Sequence, residues 1–195
     1  MNYPELLNTI RKLTYCRVAV TGVPRSGVGF SSRCLSHDLG FNLVMPEVFA
    51  WNDYKLFIHN VCLRQRYVVA CPGLLPYLHN MPGDVFIVVC NRNMVDVERS
   101  QSKVGIMESE IELDLYRQYR LTGNLNKCKM QFIERHIAPM RAFEYLEFES
   151  LKSHPLYVRP GEIAKSMHIA TETSSRPRHP KKRRKKPHRM AATQR

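Results

Sequence analysis

Residues 18–30 read VAVTGVPRSGVGF, and this stretch decides the fold. A run of small and β-branched residues leads into Gly22, and Gly27 follows five positions later. A helix-competent segment comes next, through Leu35. This is the pattern of a buried strand, a tight turn and a helix N-terminus. In such a corner the backbone N–H groups and the positive end of the helix dipole face an anion.

The G-x-x-x-x-G spacing from Gly22 to Gly27 matches the opening of a nucleotide-triphosphate loop. The match then stops, because Val28 and Gly29 stand where lysine and a hydroxyl residue belong. Without that lysine the terminal phosphates lose their cation, and without the hydroxyl magnesium loses a ligand. Phosphoryl transfer leans on both, so a kinase or NTPase is disfavoured. The loop carries a cation of its own, Arg25, whose guanidinium can hold two oxygens of a phosphate or sulfate. The plain alternative is a strand–turn–helix corner with Arg25 in solvent.

Outward from this corner, apolar runs alternate with helical patterns. The first strand spans 17–22, and others are expected at 41–44, 67–70, 85–90 and 142–148. Helices are expected over 4–13, 26–39, 50–64, 93–103, 108–121, 125–140 and 160–168, with a helical turn or two at 74–79. Such alternation predicts an α/β fold, a three-layer sandwich around a mainly parallel sheet with a P-loop-like phosphate-binding loop. Ligands of these sheets sit beyond the carboxyl ends of the strands.

The chain has 195 residues and a formal net charge of +13. Ten of its 30 basic residues fall after residue 173, which leaves 20 basic against 17 acidic residues before it. The body is nearly balanced and the tail holds the charge. We therefore divide the chain into an α/β domain over 1–170 and a disordered basic tail over 171–195. The cluster HPKKRRKKPHR at 179–189 suits nucleic acid or another polyanion, through residues 176–189, or a nuclear-localisation signal in a nucleated host. A solvated tail without a specific partner is the plain alternative. The six cysteines show no paired or metal-finger spacing, and Cys16 and Cys90 lie in or beside expected buried strands. No run is long enough to cross a membrane and no signal-peptide core is present, so a cytoplasmic, reducing setting is expected.

A second element stands at 91–100. Arg92 follows the strand at 85–90, and Ser100 lies eight residues further on. Together, PRSG at 24–27 and FIVVCNRNMVDVERSQ at 86–101 resemble the sulfotransferase family. That family has a loop P-[KR]-S-G-T-T and an arginine followed eight residues later by a serine. YVVACPGLLPYLHNMPGDVFIVV at 67–89 and FEYLEFESLKSHP at 143–155 look like further segments of it. The resemblance spans about residues 16–168.

It implies the co-substrate 3′-phosphoadenosine 5′-phosphosulfate, no metal, and transfer of a sulfuryl group to a hydroxyl or amine of a small-molecule or glycan acceptor. Pro24, Arg25, Ser26, Gly27, Val28, Gly29 and Phe30 would form the 5′ end of the nucleotide site, with backbone N–H groups on the 5′-phosphate and Arg25 beside the sulfate. Arg92 and Ser100 would hold the 3′-phosphate. The chain departs from the family at Val28 and Gly29, which replace two threonines, and at Ala70, which replaces a common lysine. No residue maps onto the family's base; Glu47 is the first candidate, ahead of Asp53 and His59. The alternative is an inactive sulfotransferase-like binding or structural module, with a nucleic-acid association through the tail.

Overall fold

The structure is a computed structural model, and it describes residues 1–105 and 110–157. Among these residues, five strands build one all-parallel sheet: β1 (Arg17–Thr21), β2 (Asn42–Val44), β3 (Tyr67–Ala70), β4 (Val85–Asn91) and β5 (Phe143–Glu147). Their order across the sheet is β2-β3-β1-β4-β5, so β1 is central. Arg17 pairs with Tyr67 on one side and Val85 on the other.

Side chains alternate across each strand, and both faces are buried. Val18 and Val20 join Val68, Phe86 and Val88 on one face, under α1 (Tyr3–Lys12) and α2 (Val28–Leu39). Leu6, Ile10 and Leu35 are among the helix residues seated there. Ala19, Val69, Ile87 and Val89 face the other way. That face is covered by α3 (Tyr54–Asn60), α5 (Glu110–Gln118), α6 (Leu125–Phe132) and the 3₁₀ segment Pro72–Asn80, through Phe57, Tyr116, Phe132 and Leu74. Each large apolar side chain fully buried in this way contributes roughly 1.5–3 kcal/mol. The result is the expected three-layer α/β architecture.

The differences from expectation have local causes. The second helix begins at Val28 rather than residue 26, because Gly27 takes φ 101° and acts as its N-cap. Gly40 ends it at φ 65°. The helix expected over 50–64 shrinks to α3. Ala50 and Trp51 have φ 50° and 66°, which no helix continues through, and Asp53 restarts the chain by accepting from the Leu56 N–H at 3.0 Å. The segment expected to be one helix over 125–140 is α-helical only to Phe132. Ile133–Ile137 is a π turn, in which the Ala138 N–H reaches the Ile133 carbonyl at 2.9 Å. Cys16 is exposed, unlike its expected burial, while Cys34, Cys62, Cys71, Cys90 and Cys128 are buried thiols. Burial pushes the Cys90 thiol up to about 12.

A polar lock joins the layer of α1 and α2 to the segment after β5. Asp38 accepts from Tyr3 Oη at 3.0 Å, His154 Nε2 at 3.2 Å and His37 Nδ1 at 2.7 Å. His154 Nδ1 accepts the Leu156 N–H at 3.1 Å, so in the neutral ring Nε2 carries the proton that goes to Asp38. Burial alone would raise the Asp38 carboxyl, but the bonds from His37, Tyr3 and His154 outweigh it and hold the group below its ordinary value.

Among the described residues no helix is long and apolar enough to cross a membrane. The helix expected over 160–168, the boundary near 170 and the basic tail lie outside the described residues.

What positions the site is a divergence of connections. β1 and β4 are neighbours, yet β1 leads to α2 on one face. β4 leads through α4 (Met94–Lys103) towards α5 and α6 on the other. A crevice opens at the carboxyl ends of such strands.

Candidate anion-binding site

β1 ends at Thr21, whose buried hydroxyl donates to the Cys71 carbonyl at 3.3 Å. The chain then turns through residues 22–27 under tight steric control. A Cβ on Gly22 would stand 2.6 Å from Ser26 Oγ and 3.0 Å from the Cys90 carbonyl oxygen. A Cβ on Gly27 would enter the Phe148 ring, 2.2 Å from its nearest carbon. Arg25 lies between them at φ 71°, a left-handed conformation that costs a non-glycine residue about 1 kcal/mol or more.

The turn delivers the start of α2 to the crevice. The first N–H groups of the helix, on Val28, Gly29 and Phe30, have no acceptor within it. Gly27 has no side chain to cap them, and the ladder opens only with the Ser31 N–H on the Gly27 carbonyl at 2.9 Å. Ser26 behaves differently from its expected role. Its N–H closes the turn on the Val23 carbonyl at 3.1 Å, and its hydroxyl is buried with no hydrogen-bond partner. Val28 is also explained by packing: its side chain belongs to the core, so this position offers only its N–H.

The second element meets this loop. Arg92 donates from Nη1 to the Arg25 carbonyl at 3.2 Å, and its guanidinium carbon sits 4.7 Å from the centre of the Phe148 ring. Arg92 Nε is buried without a hydrogen-bond partner, a donor still to be used. Arg25 Nε in turn donates to Ser100 Oγ at 3.0 Å. Arg25, Arg92 and Ser100 are thus gathered at one place, although 67 and 75 residues separate Arg25 from the other two. Gln101 holds the arrangement, donating to the Pro24 carbonyl at 2.8 Å. Its amide also exchanges bonds with that of Asn126 at 3.2 and 3.1 Å, which ties α4 and α6 to the loop.

Beside the loop lies a cavity of about 580 Å³. Pro24, Arg25, Gly27, Val28, Gly29 and Phe30 line one part of it. Met45, Pro46, Trp51, Ala70 and Pro72 add an apolar wall. Gly73 is needed there, because a Cβ on it would meet the Trp51 carbonyl oxygen at 2.6 Å.

The candidate bases fall outside this lining. Glu47 is exposed on the 3₁₀ segment Pro46–Phe49, whose Pro46 reaches the cavity while Glu47 does not. Asp53 caps α3 and His59 is exposed on it. Two charged residues that sequence reasoning missed do line the cavity: Glu112 of α5 and Lys129 of α6. Lys129 Nζ lies 2.6 Å from Glu112 Oε1, and the lysine is 1% exposed. The signal was present in α6, where Leu125, Cys128 and Phe132 form an apolar stripe and Lys129 falls on it.

Chemically, Arg25, the uncapped start of α2 and the Glu112–Lys129 pair line the cavity, whereas Arg92 and Ser100 lie outside its lining and are joined to it through Arg25. Compared with protein-family models and with curated proteins, the chain matches none.

Proposed function

We propose that the protein is a sulfotransferase, using 3′-phosphoadenosine 5′-phosphosulfate as donor and a hydroxyl or amine as acceptor. The observation that carries this reading is the meeting of Arg25, Arg92 and Ser100 at the uncapped start of α2. One anionic group would sit on the N–H groups of Gly27, Val28, Gly29 and Phe30, and a second on Arg92 and Ser100. Two phosphates on one nucleoside would satisfy that pair of sites.

In the reaction the acceptor oxygen or nitrogen attacks sulfur. The bond from sulfur to the 5′-phosphate oxygen breaks, and 3′-phosphoadenosine 5′-phosphate leaves. Arg25 stabilises the charge that builds on the departing oxygen, a fixed-charge effect that needs no metal in this scheme. The acceptor proton passes to a carboxylate. We assign that role to Glu112, which lines the cavity, in place of Glu47.

The test is transfer of labelled sulfate to a panel of hydroxyl and amine acceptors. Arg25→Ala should cut turnover more than nucleotide affinity, and Arg92→Ala the reverse. A second reading, a binding module without catalysis, is favoured by one observation: Arg25 is tied to Ser100, and Glu112 to Lys129. It predicts nucleotide binding with no transfer to any acceptor. Residues 176–189 add a proposed salt-sensitive contact with nucleic acid or another polyanion.

A further inference from the structure

Lys129 is the one Lys, Arg, Asp or Glu among the described residues that is fully buried. Stability does not account for it. Taking an ammonium and a carboxylate out of water costs several kcal/mol per ion, roughly what their attraction returns. An apolar residue would complete the stripe of Leu125, Cys128 and Phe132 at no such cost. The pair instead faces the cavity that the phosphate-binding loop also lines. Asn126, on the preceding turn of α6, is bonded through Gln101 to Pro24, so Lys129 is held in register with the loop. Around it Met45, Pro46, Trp51 and Pro72 keep the cavity wall apolar, which strengthens any charge interaction made there.

We propose that Lys129 is a second cationic contact of this cavity, one that binds the terminal sulfuryl group of the donor and is held ready by Glu112 while the site is empty. The assignment rests on the sulfotransferase reading above and extends it. The lysine's flexible four-carbon stem lets the ammonium turn from the carboxylate to the sulfuryl oxygens. With the ammonium on the sulfuryl group, the Glu112 carboxylate accepts the proton of the attacking hydroxyl or amine. Arg25 and Lys129 therefore divide the anion between them. Arg25 takes the leaving phosphate end, and Lys129 takes the group in transit.

The division is testable by comparing two nucleotides that differ only in the sulfuryl group. Binding of 3′-phosphoadenosine 5′-phosphate and of 3′-phosphoadenosine 5′-phosphosulfate is measured without acceptor. The proteins are wild type, Lys129→Met, and the uncharged pair Glu112→Gln with Lys129→Met. The double variant removes both charges of this pair and is the one expected to stay folded, as thermal unfolding will report. Both variants should bind the bisphosphate as wild type does, and should bind the phosphosulfate about tenfold or more weakly than wild type. Wild type that binds neither nucleotide contradicts the sulfotransferase reading itself. Wild type that binds both, with variants that lose the two nucleotides equally or lose neither, overturns the role of Lys129 and leaves that reading standing. A double variant that does not fold makes the pair a structural element and also overturns it.

Discussion

Gly27 meets two demands at once. It holds φ 101°, and it leaves room for the Phe148 ring that also stacks beneath Arg92. Gly27→Ala should therefore cost roughly 2–4 kcal/mol, from backbone strain and displacement of the ring, and should weaken nucleotide binding with it. Chemical denaturation and titration calorimetry on the variant measure the two effects. Two positions on, Gly29 is different. A Cβ there meets only Met45 Cε, at 3.9 Å. Gly29→Ser should stabilise the fold by about 0.5 kcal/mol through helix propensity. Its hydroxyl is placed beside the free N–H groups, so nucleotide affinity should rise as well. Unchanged or weaker affinity would separate position 29 from the anion site. The glycines and Arg25 were legible because loop geometry is written in residue type. Glu112 and Lys129 were not, since a charged residue on a helix is ordinarily a solvated one.

Among the elements, the Asp38 lock joins α1, α2 and the segment after β5 through Tyr3, His37 and His154. Its carboxyl is held below the ordinary range, so the folded state favours the ionised form. The stability this contributes is complete above the unfolded carboxylate value of about 4, and is lost as pH falls through the lower folded value. The gap in stability between wild type and Asp38→Asn should thus be widest near neutral pH and shrink in acid. Urea unfolding at a series of pH values measures it; a gap that does not change with pH would contradict the ionised lock. At this scale the strands were read almost to the residue, β3 at 67–70 without error; β1, β3 and β4 are short apolar runs buried on both faces. The helices expected over 50–64 and 125–140 were read too long. Ala50, Trp51 and the π turn at Ile133–Ile137 interrupt patterns whose apolar spacing continues through them.

For the whole molecule, strand order decides what the motifs can do. The loop after β1 and the exit of β4 are distant in sequence and adjacent in the sheet. Alternation of strands and helices made the parallel sheet legible, and with it the end at which the loop after β1 and the exit of β4 meet. The sharing of one cavity by α5, α6 and the loop was not legible, because it depends on helix packing angles that no local pattern encodes. The tail acts separately in this account. Removal of residues 174–195 should abolish salt-sensitive retention on nucleic acid and leave nucleotide affinity unchanged. Loss of nucleotide affinity would show that the site needs the tail.

The central claim is that one nucleotide bridges the start of α2 and the pair Arg92 and Ser100. Calorimetric titration of wild type and Arg92→Ala with 3′-phosphoadenosine 5′-phosphate and with adenosine 5′-phosphate, which lacks the 3′-phosphate, tests it most directly. Wild type should prefer the bisphosphate by about tenfold or more, and Arg92→Ala should erase that preference. No binding of the bisphosphate, or equal affinity of wild type for the two nucleotides, would contradict the account.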